Sequence, residues 1–340
     1  MGKITVVGLG PGNGRFLTRT AWDILSQTDV VYLRTERHPA VADLPDHVTR
    51  HSFDKIYDSA KSFETVYETI VAELLALTRQ ADVVYAVPGH PFVGESTVTR
   101  LVAQAEAEGV PVEIVAGLSF VEPCLTAVQQ DGMDGVQIFD AIELTQYLYP
   151  PVNPDFPLLL GQVYSRMLAG ELKLVLTGVY PDEHPGTVIH QAGDDEQAVE
   201  QLVLYEIDRS DSVNHLTSLF VPPLPNPSSL ANLAETVAIL RSPDGCPWDQ
   251  EKTHQSLRSG FLEEASELLA AIDDDDMDGL REELGDLFYH LVMQIQMASE
   301  AEEFRLTDVL AGVDAKLKYR HPHVWGDWQV RDSQEVIQNW

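Results

Sequence analysis

Cysteine is nearly absent from this chain of 340 residues, which contains only Cys124 and Cys246. The two lie far apart in the sequence, so neither a disulfide framework nor a cysteine-based metal site is indicated. Any metal bound by this protein must therefore find its ligands among other residue types.

Basic residues are also scarce, since 22 lysines and arginines stand against 54 aspartates and glutamates, a formal net charge of -32. Phosphate backbones and anionic lipid surfaces would be repelled by such a chain, so the charge argues against nucleic-acid and membrane partners. An anionic substrate would need a divalent cation to mediate its binding.

Long apolar runs are missing as well. No stretch approaches the length of a membrane span, and the opening MGKITVVGLGPG lacks the apolar core of a secretory signal. We therefore expect a cytoplasmic protein. Its hydrophobic content of 44% and its length predict folded domains, and the length suffices for two.

The N-terminal part alternates short β-branched runs with amphipathic stretches, which predicts an α/β fold with a mainly parallel sheet. The predicted strands are KITVVGLG, DVVYL, ADVVYAVPG and VPVEIVAG, and the predicted helices are TRTAWDILSQ, residues 62–79 and STVTRLVAQAEAEG. After Pro150 the predicted strands lie closer together and indicate a second, more antiparallel lobe. They are PLLLGQVY, ELKLVLTGVYP, GTVIHQAG and LTSLFVPP.

A proline-rich segment separates this part from the rest, because VPPLPNPSS places four prolines in nine residues. That composition is typical of a linker. Beyond it only helical periodicity remains. We therefore predict a first domain over residues 1–222, a linker over residues 223–229 and an all-α domain over residues 230–340.

Two helices of the predicted all-α domain carry carboxylates at helical spacing. Glu264 and Glu267 are three residues apart, as are Glu283 and Asp286, so each pair shares one helix face. The four positions are symmetric about position 275, within the run DDDD, which we predict to be a solvated loop. Folded as an antiparallel hairpin, the helices place Glu267 opposite Glu283 and Glu264 opposite Asp286.

Carboxylates held so close repel one another, so either some are protonated or a cation binds between them. An all-oxygen ligand set with room for water favours Mg²⁺ or Mn²⁺ over zinc. The alternative is that these residues are simply the solvated faces of two acidic helices. Apolar residues are predicted to pack beside the site: Leu262, Leu268, Leu269, Leu284, Leu287, Phe288 and Leu291.

These residues stand in a longer pattern that resembles the MazG family of nucleoside triphosphate pyrophosphohydrolases. The matching segments, within about residues 230 to 330, are GCPWDQEKTHQSL, LEEASELLAAI, LREELGDLFYHLVM and KLKYRHPHVWGD. The resemblance implies Mg²⁺-dependent cleavage of nucleoside triphosphates between the α- and β-phosphates. It maps the family's metal motif onto Glu263, Glu264, Glu267, Glu283 and Asp286, with Glu264 and Glu267 also catalytic.

Two further expectations concern the same domain. Lys316 and Arg320 lie four residues apart on one helical face, and the resemblance implies that they clamp phosphate oxygens. Pairing with surface acids is the alternative. The apolar run LFYHLVMQIQM and the resemblance together predict a homodimer formed through the helical domain.

Three glycine-bearing loops follow predicted strands of the N-terminal part. They contain Gly10 and Gly12 in VVGLGPGNG, Gly89 and His90 in YAVPGHPFVGEST, and Gly117 and Ser119 in IVAGLSF. The first loop departs from a dinucleotide fingerprint because of Pro11 and Asn13. Loops at the carboxyl ends of strands nevertheless form the crevice where α/β proteins bind ligands. Ordinary turn chemistry is the alternative explanation for each glycine.

Over about residues 3 to 222 these loops resemble the tetrapyrrole (corrin/porphyrin) methylase family. The resemblance rests on GLGPG, PGHP and AGLSF, and QVYSRMLAGELKLVLTGVYPDEHPGTV is similar to the subgroup fused to a MazG domain. It implies two α/β lobes, a tetrapyrrole-like ligand and S-adenosylmethionine bound by Gly10, Gly12, Gly89, His90, Gly117 and Ser119. Asn13 and His90 stand where methylases of this family typically carry aspartate.

The sequence thus predicts a methylase-like α/β domain fused to an Mg²⁺-dependent helical nucleoside triphosphate pyrophosphohydrolase. Two alternatives remain open. The protein could be a tetrapyrrole methyltransferase whose helical part only dimerises, or a non-enzymatic sensor of a ligand bound in the N-terminal crevice.

Overall fold

A computed structural model describes residues 2–59 and 62–338 of the chain. The chain divides into two compact units, the first ending at Asn226 and the second beginning at Pro227. The predicted linker, residues 223–229, spans this division. The predicted extents of the methylase-like domain and of the pyrophosphohydrolase domain stay predictions. The predicted domain end at position 340 lies outside the described residues. None of the described helices is long and apolar enough to cross a membrane.

A five-stranded parallel sheet forms the first lobe of the first unit. The strands are β1 Ile4–Gly8, β2 Val30–Leu33, β3 Thr49–Ser52, β4 Val83–Val87 and β5 Val112–Val115, in the order β3-β2-β4-β1-β5. The helices of this lobe are α1 Arg19–Gln27, α2 Asp54–Ser59, α3 Phe63–Leu77 and α4 Ser96–Glu108, whereas α5 Val121–Val128 packs against the second sheet. The interior strand β1 is buried throughout and pairs with β4 and β5. Because the strands are parallel, their carboxyl ends and the loops that follow lie at one edge.

A second sheet completes the first unit. Its strands are β6 Gln137–Asp140, β7 Leu158–Gly161, β8 Pro185–His190, β9 Ala198–Val203 and β10 Thr217–Val221, in the order β6-β7-β10-β8-β9. All pairs are antiparallel except β6 with β7, which confirms the predicted antiparallel character. The helices of this lobe are α6 Ala141–Leu144 and α7 Arg166–Leu176.

One predicted strand is wrong, because ELKLVL lies in helix α7. The hydroxyl of Ser165 caps this helix by accepting a hydrogen bond from the backbone N–H of Leu168. Leu168, Leu172 and Leu176 are buried at a spacing of four residues, which is the period of a helix face. The β-like composition of the segment is overridden by this packing against the second sheet.

The second unit is entirely helical within the described residues. Its helices are α8 Leu230–Arg241, α9 Pro247–Gln250, α10 Arg258–Asp273, α11 Met277–Glu300, α12 Leu306–Arg320, α13 Pro322–Trp325 and α14 Ser333–Gln338. A small core joins α8 and α11 around Val237, Val292, Met293 and Met297. Helices α10 and α12 have no fully buried residue. The predicted architecture, an α/β two-lobed unit followed by a helical unit, is therefore confirmed.

The acidic run between α10 and α11 has a structural role. Asp275 adopts a left-handed backbone conformation with φ of 53°, which reverses the chain. The side chain of Asp276 then caps α11 by accepting hydrogen bonds from the backbone N–H groups of Asp278 and Gly279, both at 3.1 Å. The run is exposed, as predicted, and it also fixes the start of α11.

Candidate functional site

The antiparallel packing of α10 against α11 brings three predicted metal ligands together. Glu264, Glu267 and Glu283 each offer a carboxylate oxygen, and these oxygens lie within 4.8 Å of one another. Glu264 and Glu267 come from adjacent turns of α10, whereas Glu283 comes from the facing helix. We call these three residues the carboxylate cluster.

Glu283 is the member of the carboxylate cluster whose negative charge is least stabilised by its surroundings. Its Oε2 atom is shielded from solvent and has no hydrogen-bond partner within the described part of the chain. Burial raises the pKa of Glu283, and the charges of Glu267, Glu264 and Asp286 raise it further. Asp286 therefore acts electrostatically on the cluster, although its own oxygens fall outside the group of three.

No positive side chain compensates the carboxylate cluster. Across residues 2–59 and 62–338, no lysine, arginine or histidine lies within ion-pairing distance of Glu264, Glu267 or Glu283. A cation between the carboxylates would satisfy the orphaned Oε2 atom and remove the mutual repulsion. The purely carboxylate ligand set suits a hard ion such as Mg²⁺ or Mn²⁺.

Lys316 and Arg320, the two predicted phosphate clamps, are exposed side chains of α12. Neither belongs to the carboxylate cluster. The neighbouring Lys318 forms an ion pair with Asp314 at 2.9 Å, which is the surface pairing that was the alternative for the two clamps. Within one chain, the structure does not place Lys316 and Arg320 at the carboxylates.

The apolar residues predicted to pack beside the carboxylates are instead largely exposed within one chain. Leu262 is 68% exposed, Leu269 61% and Phe288 51%. On α12, Leu310 and Leu317 are 44% and 46% exposed. Exposed apolar residues on three successive helices amount to more than isolated surface side chains, and such surface typically marks an interface.

The three predicted glycine loops of the first unit contact one another directly. Gly10 and Gly89 exchange backbone hydrogen bonds of 3.2 and 2.8 Å. A side chain on Gly117 would overlap the carbonyl oxygens of Gly89 and Gly8. A side chain on Gly12 would lie 2.9 Å from the carbonyl oxygen of Gly193. These glycines are needed because backbone passes against backbone.

A cleft of about 550 Å³ opens beside these loops, and we call it the N-terminal cleft. Its lining comes from the loops after β1, β2 and β4, from the start of α5 and from the second lobe. Of the six predicted cofactor residues, Gly89 lines the cleft, whereas Gly10, Gly12, His90, Gly117 and Ser119 do not. The lining includes Pro11, Arg34, His38, Pro39, Gly89, Glu95, Phe120, Gln162, Tyr164 and Thr217.

Polar side chains in the glycine loops are engaged in local turns. Ser119 donates its hydroxyl proton to Glu122 at 2.7 Å and accepts from the N–H of Val121. The Nδ1 atom of His90 accepts from the N–H of Phe92 at 3.0 Å. Asn13 accepts from the N–H of Arg15. Asn13 and His90 thus provide the acceptors for their own turns.

Three residues of the N-terminal cleft were missed in the sequence. Arg34 Nε lies 3.0 Å from the carboxylate of Glu95, whose side chain is only 2% exposed. Burial lowers the pKa of His38 to about 4, although a hydrogen bond with the Gly10 backbone acts in the opposite direction. The available signal was position, because the segment LRTERHP follows β2 at the same sheet edge as the glycine loops.

Two family models match the chain. The model of the Tetrapyrrole (Corrin/Porphyrin) Methylases matches residues 3–208, and that of the MazG nucleotide pyrophosphohydrolase domain matches residues 252–325. The uncharacterized protein YabN of Bacillus subtilis is 39% identical over all of this chain and 70% of its own length. The nucleoside triphosphate pyrophosphohydrolase of Escherichia coli is 45% identical over 102 residues, which is 30% of this chain and 39% of that protein.

Among solved structures, the uroporphyrin-III-C-methyltransferase of Thermus thermophilus is similar in fold. The match has a TM-score of 0.51 at 22% identity and covers 65% of this chain and 92% of that one. At this identity the similarity extends to the fold of the first unit and says nothing about its substrate.

Proposed function

The chain belongs to the tetrapyrrole (corrin/porphyrin) methylase family and carries a MazG nucleotide pyrophosphohydrolase domain, and we propose that this domain hydrolyses nucleoside triphosphates to monophosphate and pyrophosphate with Mg²⁺. The relatives in Escherichia coli and Thermotoga maritima that are named for this activity support the reaction class. We further propose that the protein acts in the cytoplasm.

The observation that carries this proposal is the carboxylate cluster. Glu264, Glu267 and Glu283 converge within 4.8 Å with no cationic partner in the part of the chain that the structure describes, where one oxygen of Glu283 is also buried and unsatisfied. Three such carboxylates are costly without a cation, so the helix pair is organised for one. Glu264, Glu267 and Glu283 would hold Mg²⁺ or Mn²⁺, with Asp286 alongside.

The protein groups have distinct tasks in this proposal. A bound Mg²⁺ would supply charge neutralisation for the triphosphate and a water of lowered pKa. One glutamate of the carboxylate cluster would orient the attacking water by accepting a hydrogen bond from it. Lys316 and Arg320 would contact phosphate oxygens once α12 is brought to the site.

We propose that a second copy of the chain covers the exposed apolar faces of α10, α11 and α12. Leu262, Phe288 and Leu310 lie on these three helices and are exposed in the single chain. Up to residue 338, where the described part of this unit ends, no other element covers this surface. A homodimer through the helical unit would bury it, and it would offer α12 of one copy a route to the carboxylates of the other.

For the first unit we propose binding of S-adenosylmethionine and of a tetrapyrrole-like acceptor in the N-terminal cleft. Gly89 lines the cleft with φ of 64°, and a side chain added there would meet nothing closer than 4.0 Å, so this backbone leaves room for a ligand. The cofactor would supply the methyl group. The cleft residues would only hold and align the two molecules, since positioning dominates such a transfer.

Identifying the products tests the hydrolase proposal. The chain is incubated with each common NTP and dNTP, with Mg²⁺ or with a chelator, and the products are separated by anion-exchange chromatography. We expect equimolar nucleoside monophosphate and pyrophosphate, formed only with the metal. Formation of diphosphate and orthophosphate, or turnover that persists in the chelator, would contradict the proposal.

A further inference from the structure

Gly260 and His290 bring α10 and α11 together one helical turn away from the carboxylate cluster. Gly260 lies four residues before Glu264 on α10. His290 lies four residues after Asp286 on α11. Residues four apart share a helix face, and they are separated by about 6 Å along the helix axis. The pair therefore continues the seam between the two helices in which the carboxylates lie.

The contact between Gly260 and His290 has no spare room. A Cβ atom added to Gly260 would lie 3.0 Å from the Cε1 atom and 3.3 Å from the Nε2 atom of the imidazole ring. Non-bonded atoms of this kind are in favourable contact at about 3.5 to 4.0 Å. Glycine at position 260 thus allows α10 to lie closer to α11 than any other residue would.

The imidazole ring of His290 is fixed by packing. The residue is 7% exposed, and the rings of Phe261 and Tyr289 meet it edge to face, with centres 6.1 and 5.5 Å away. Tyr289 is anchored in turn, because its hydroxyl group donates a hydrogen bond of 3.0 Å to the buried Asp249. The Nδ1 atom of His290 is shielded from solvent and has no hydrogen-bond partner in the part of the chain that the structure describes. Packing rather than this nitrogen therefore holds the ring in place.

Few buried contacts determine how far α10 lies from α11. Helix α10, every residue of which the structure describes, has no fully buried side chain. The core of the helical unit includes Leu257, the residue just before α10. At its other end, α10 is followed by the turn through Asp275. Between these two ends, the contact of Gly260 with His290 limits the approach of the helices next to the carboxylates.

The separation of the helices matters because the carboxylates come from both of them. Glu264 and Glu267 lie on α10 and Glu283 lies on α11, so an outward shift of α10 moves two carboxylates away from the third. Mg²⁺ requires oxygen ligands at about 2.0–2.1 Å, whereas Ca²⁺ accepts them at about 2.3–2.6 Å. A shift of a few tenths of an ångström is therefore enough to change which of the two ions the carboxylates fit.

We propose that the contact between Gly260 and His290 sets the ion-size selectivity of the carboxylate cluster, by holding α10 close enough to α11 to favour Mg²⁺ over Ca²⁺. Gly260 and His290 are positioning residues and do not ligate the ion. The inference deepens the proposed function and rests on it in one respect, which is that a divalent cation binds at the carboxylate cluster.

Cation binding to the full chain, without nucleotide, tests this inference. Electron paramagnetic resonance measures free Mn²⁺, and displacement of bound Mn²⁺ by Mg²⁺ or Ca²⁺ gives a Kd for each of the two ions. The binding that Glu267→Gln abolishes is assigned to the carboxylate cluster, which separates it from binding to the many surface carboxylates. The informative variant is Gly260→Ala. Its matched control is Gly285→Ala, which adds the same methyl group to α11 at a position where the described chain has no atom within 4 Å.

The measured quantity is the Kd for Ca²⁺ divided by the Kd for Mg²⁺. We expect this ratio to fall by about fivefold or more in Gly260→Ala, because the added methyl group pushes α10 outward, and to keep its wild-type value in Gly285→Ala. Alanine is a better helix former than glycine, so helix propensity does not destabilise either variant. In the double variant Gly260→Ala, His290→Asn the shorter side chain relieves the contact, and the ratio returns toward the wild-type value.

The outcomes separate the inference from the proposed function. If the wild type binds cations at the carboxylate cluster but the ratio is unchanged in Gly260→Ala, or changes equally in Gly285→Ala, the inference alone is overturned. If the wild type binds no cation there, the metal site of the proposed function is overturned as well. Should Gly260→Ala fail to fold, His290→Asn removes the ring that keeps the helices apart. The ratio is then expected to rise, and an unchanged ratio overturns the inference.

Discussion

Among single residues, Glu283 of the second unit and the buried His38 of the first unit have pKa values shifted in opposite directions. Glu283 has a raised pKa because burial and three neighbouring acids disfavour its negative charge. A bound cation would stabilise that charge. His38 has a lowered pKa because burial disfavours its protonation, so it requires neutrality. The first pattern indicates a binding site, whereas the second indicates a packed structural histidine.

The contacts of His38 favour its neutral form. It is 6% exposed, and its Nδ1 atom accepts a hydrogen bond from the N–H of Ala40 at 3.3 Å, so this nitrogen carries no proton. A proton on Nδ1 would abolish this acceptor and place a charge in a desolvated position near Arg34. The unfolded chain takes up that proton near pH 6.5, whereas the folded chain resists it down to about pH 4.

We therefore expect acid to destabilise the first unit through His38. The folded pKa lies below the unfolded one, so this stability is complete above pH 6.5 and is lost as the pH falls toward 4. Between pH 7 and pH 5 the free energy of unfolding should fall by about 2 kcal/mol more in the wild type than in His38→Asn. Urea titrations at both pH values measure this difference, and equal pH dependence in the two proteins would refute it.

At the level of secondary-structure elements, spacing in the sequence predicted the hairpin and most of its carboxylates. The predicted opposition of Glu267 and Glu283 requires only helical period and a turn near position 275, and the structure has both. Helix α7 was mistaken for a strand because the run ELKLVL satisfies both patterns when read alone. The information that favours the helix lies outside that run, in the cap Ser165 and in the packing of the buried helix face against the second sheet.

The sequence could not distinguish apolar faces that pack inside the chain from those that face a partner. Leu262 and Val292 are both apolar residues at helical spacing, yet Leu262 is 68% exposed and Val292 is 3% exposed. Periodicity reports that a face is apolar, and only the neighbouring helices determine what covers it. The same limit explains why Arg34 was missed, since its ion pair joins it to Glu95, which is distant in sequence.

We expect the exposed helix faces to pair between two copies of the chain. A charge in a buried apolar interface is costly, so Leu262→Arg should convert a dimer into a monomer. The matched control is Glu303→Arg, which introduces the same side chain in the exposed turn after α11. Sedimentation velocity of the three proteins measures the assembly. A wild type that is monomeric at all concentrations, or a Leu262→Arg variant that remains dimeric, would contradict this expectation.

On the scale of the whole molecule, the sequence pattern predicted the change from alternating strands and helices to helices alone. The four prolines of VPPLPNPSS lie at the point where the chain divides into two units. Composition also narrowed the expected chemistry, because a net charge of -32 repels a triphosphate and so favours binding through a bridging cation. Each unit then contains its own candidate site, the N-terminal cleft in the first and the carboxylate cluster in the second.

The central claim is that the carboxylate cluster carries out pyrophosphohydrolysis. Its most direct test is the rate of pyrophosphate release from the preferred nucleotide at saturating Mg²⁺, for the wild type, Glu267→Gln and Glu282→Gln. Glu267 contributes to the cluster, whereas Glu282 is an exposed neighbour on α11. We predict that Glu267→Gln loses about a hundredfold or more in rate because a metal-ligating charge is removed, and that Glu282→Gln retains the wild-type rate. Equal rates in all three proteins would contradict the claim and place any hydrolysis elsewhere in the molecule.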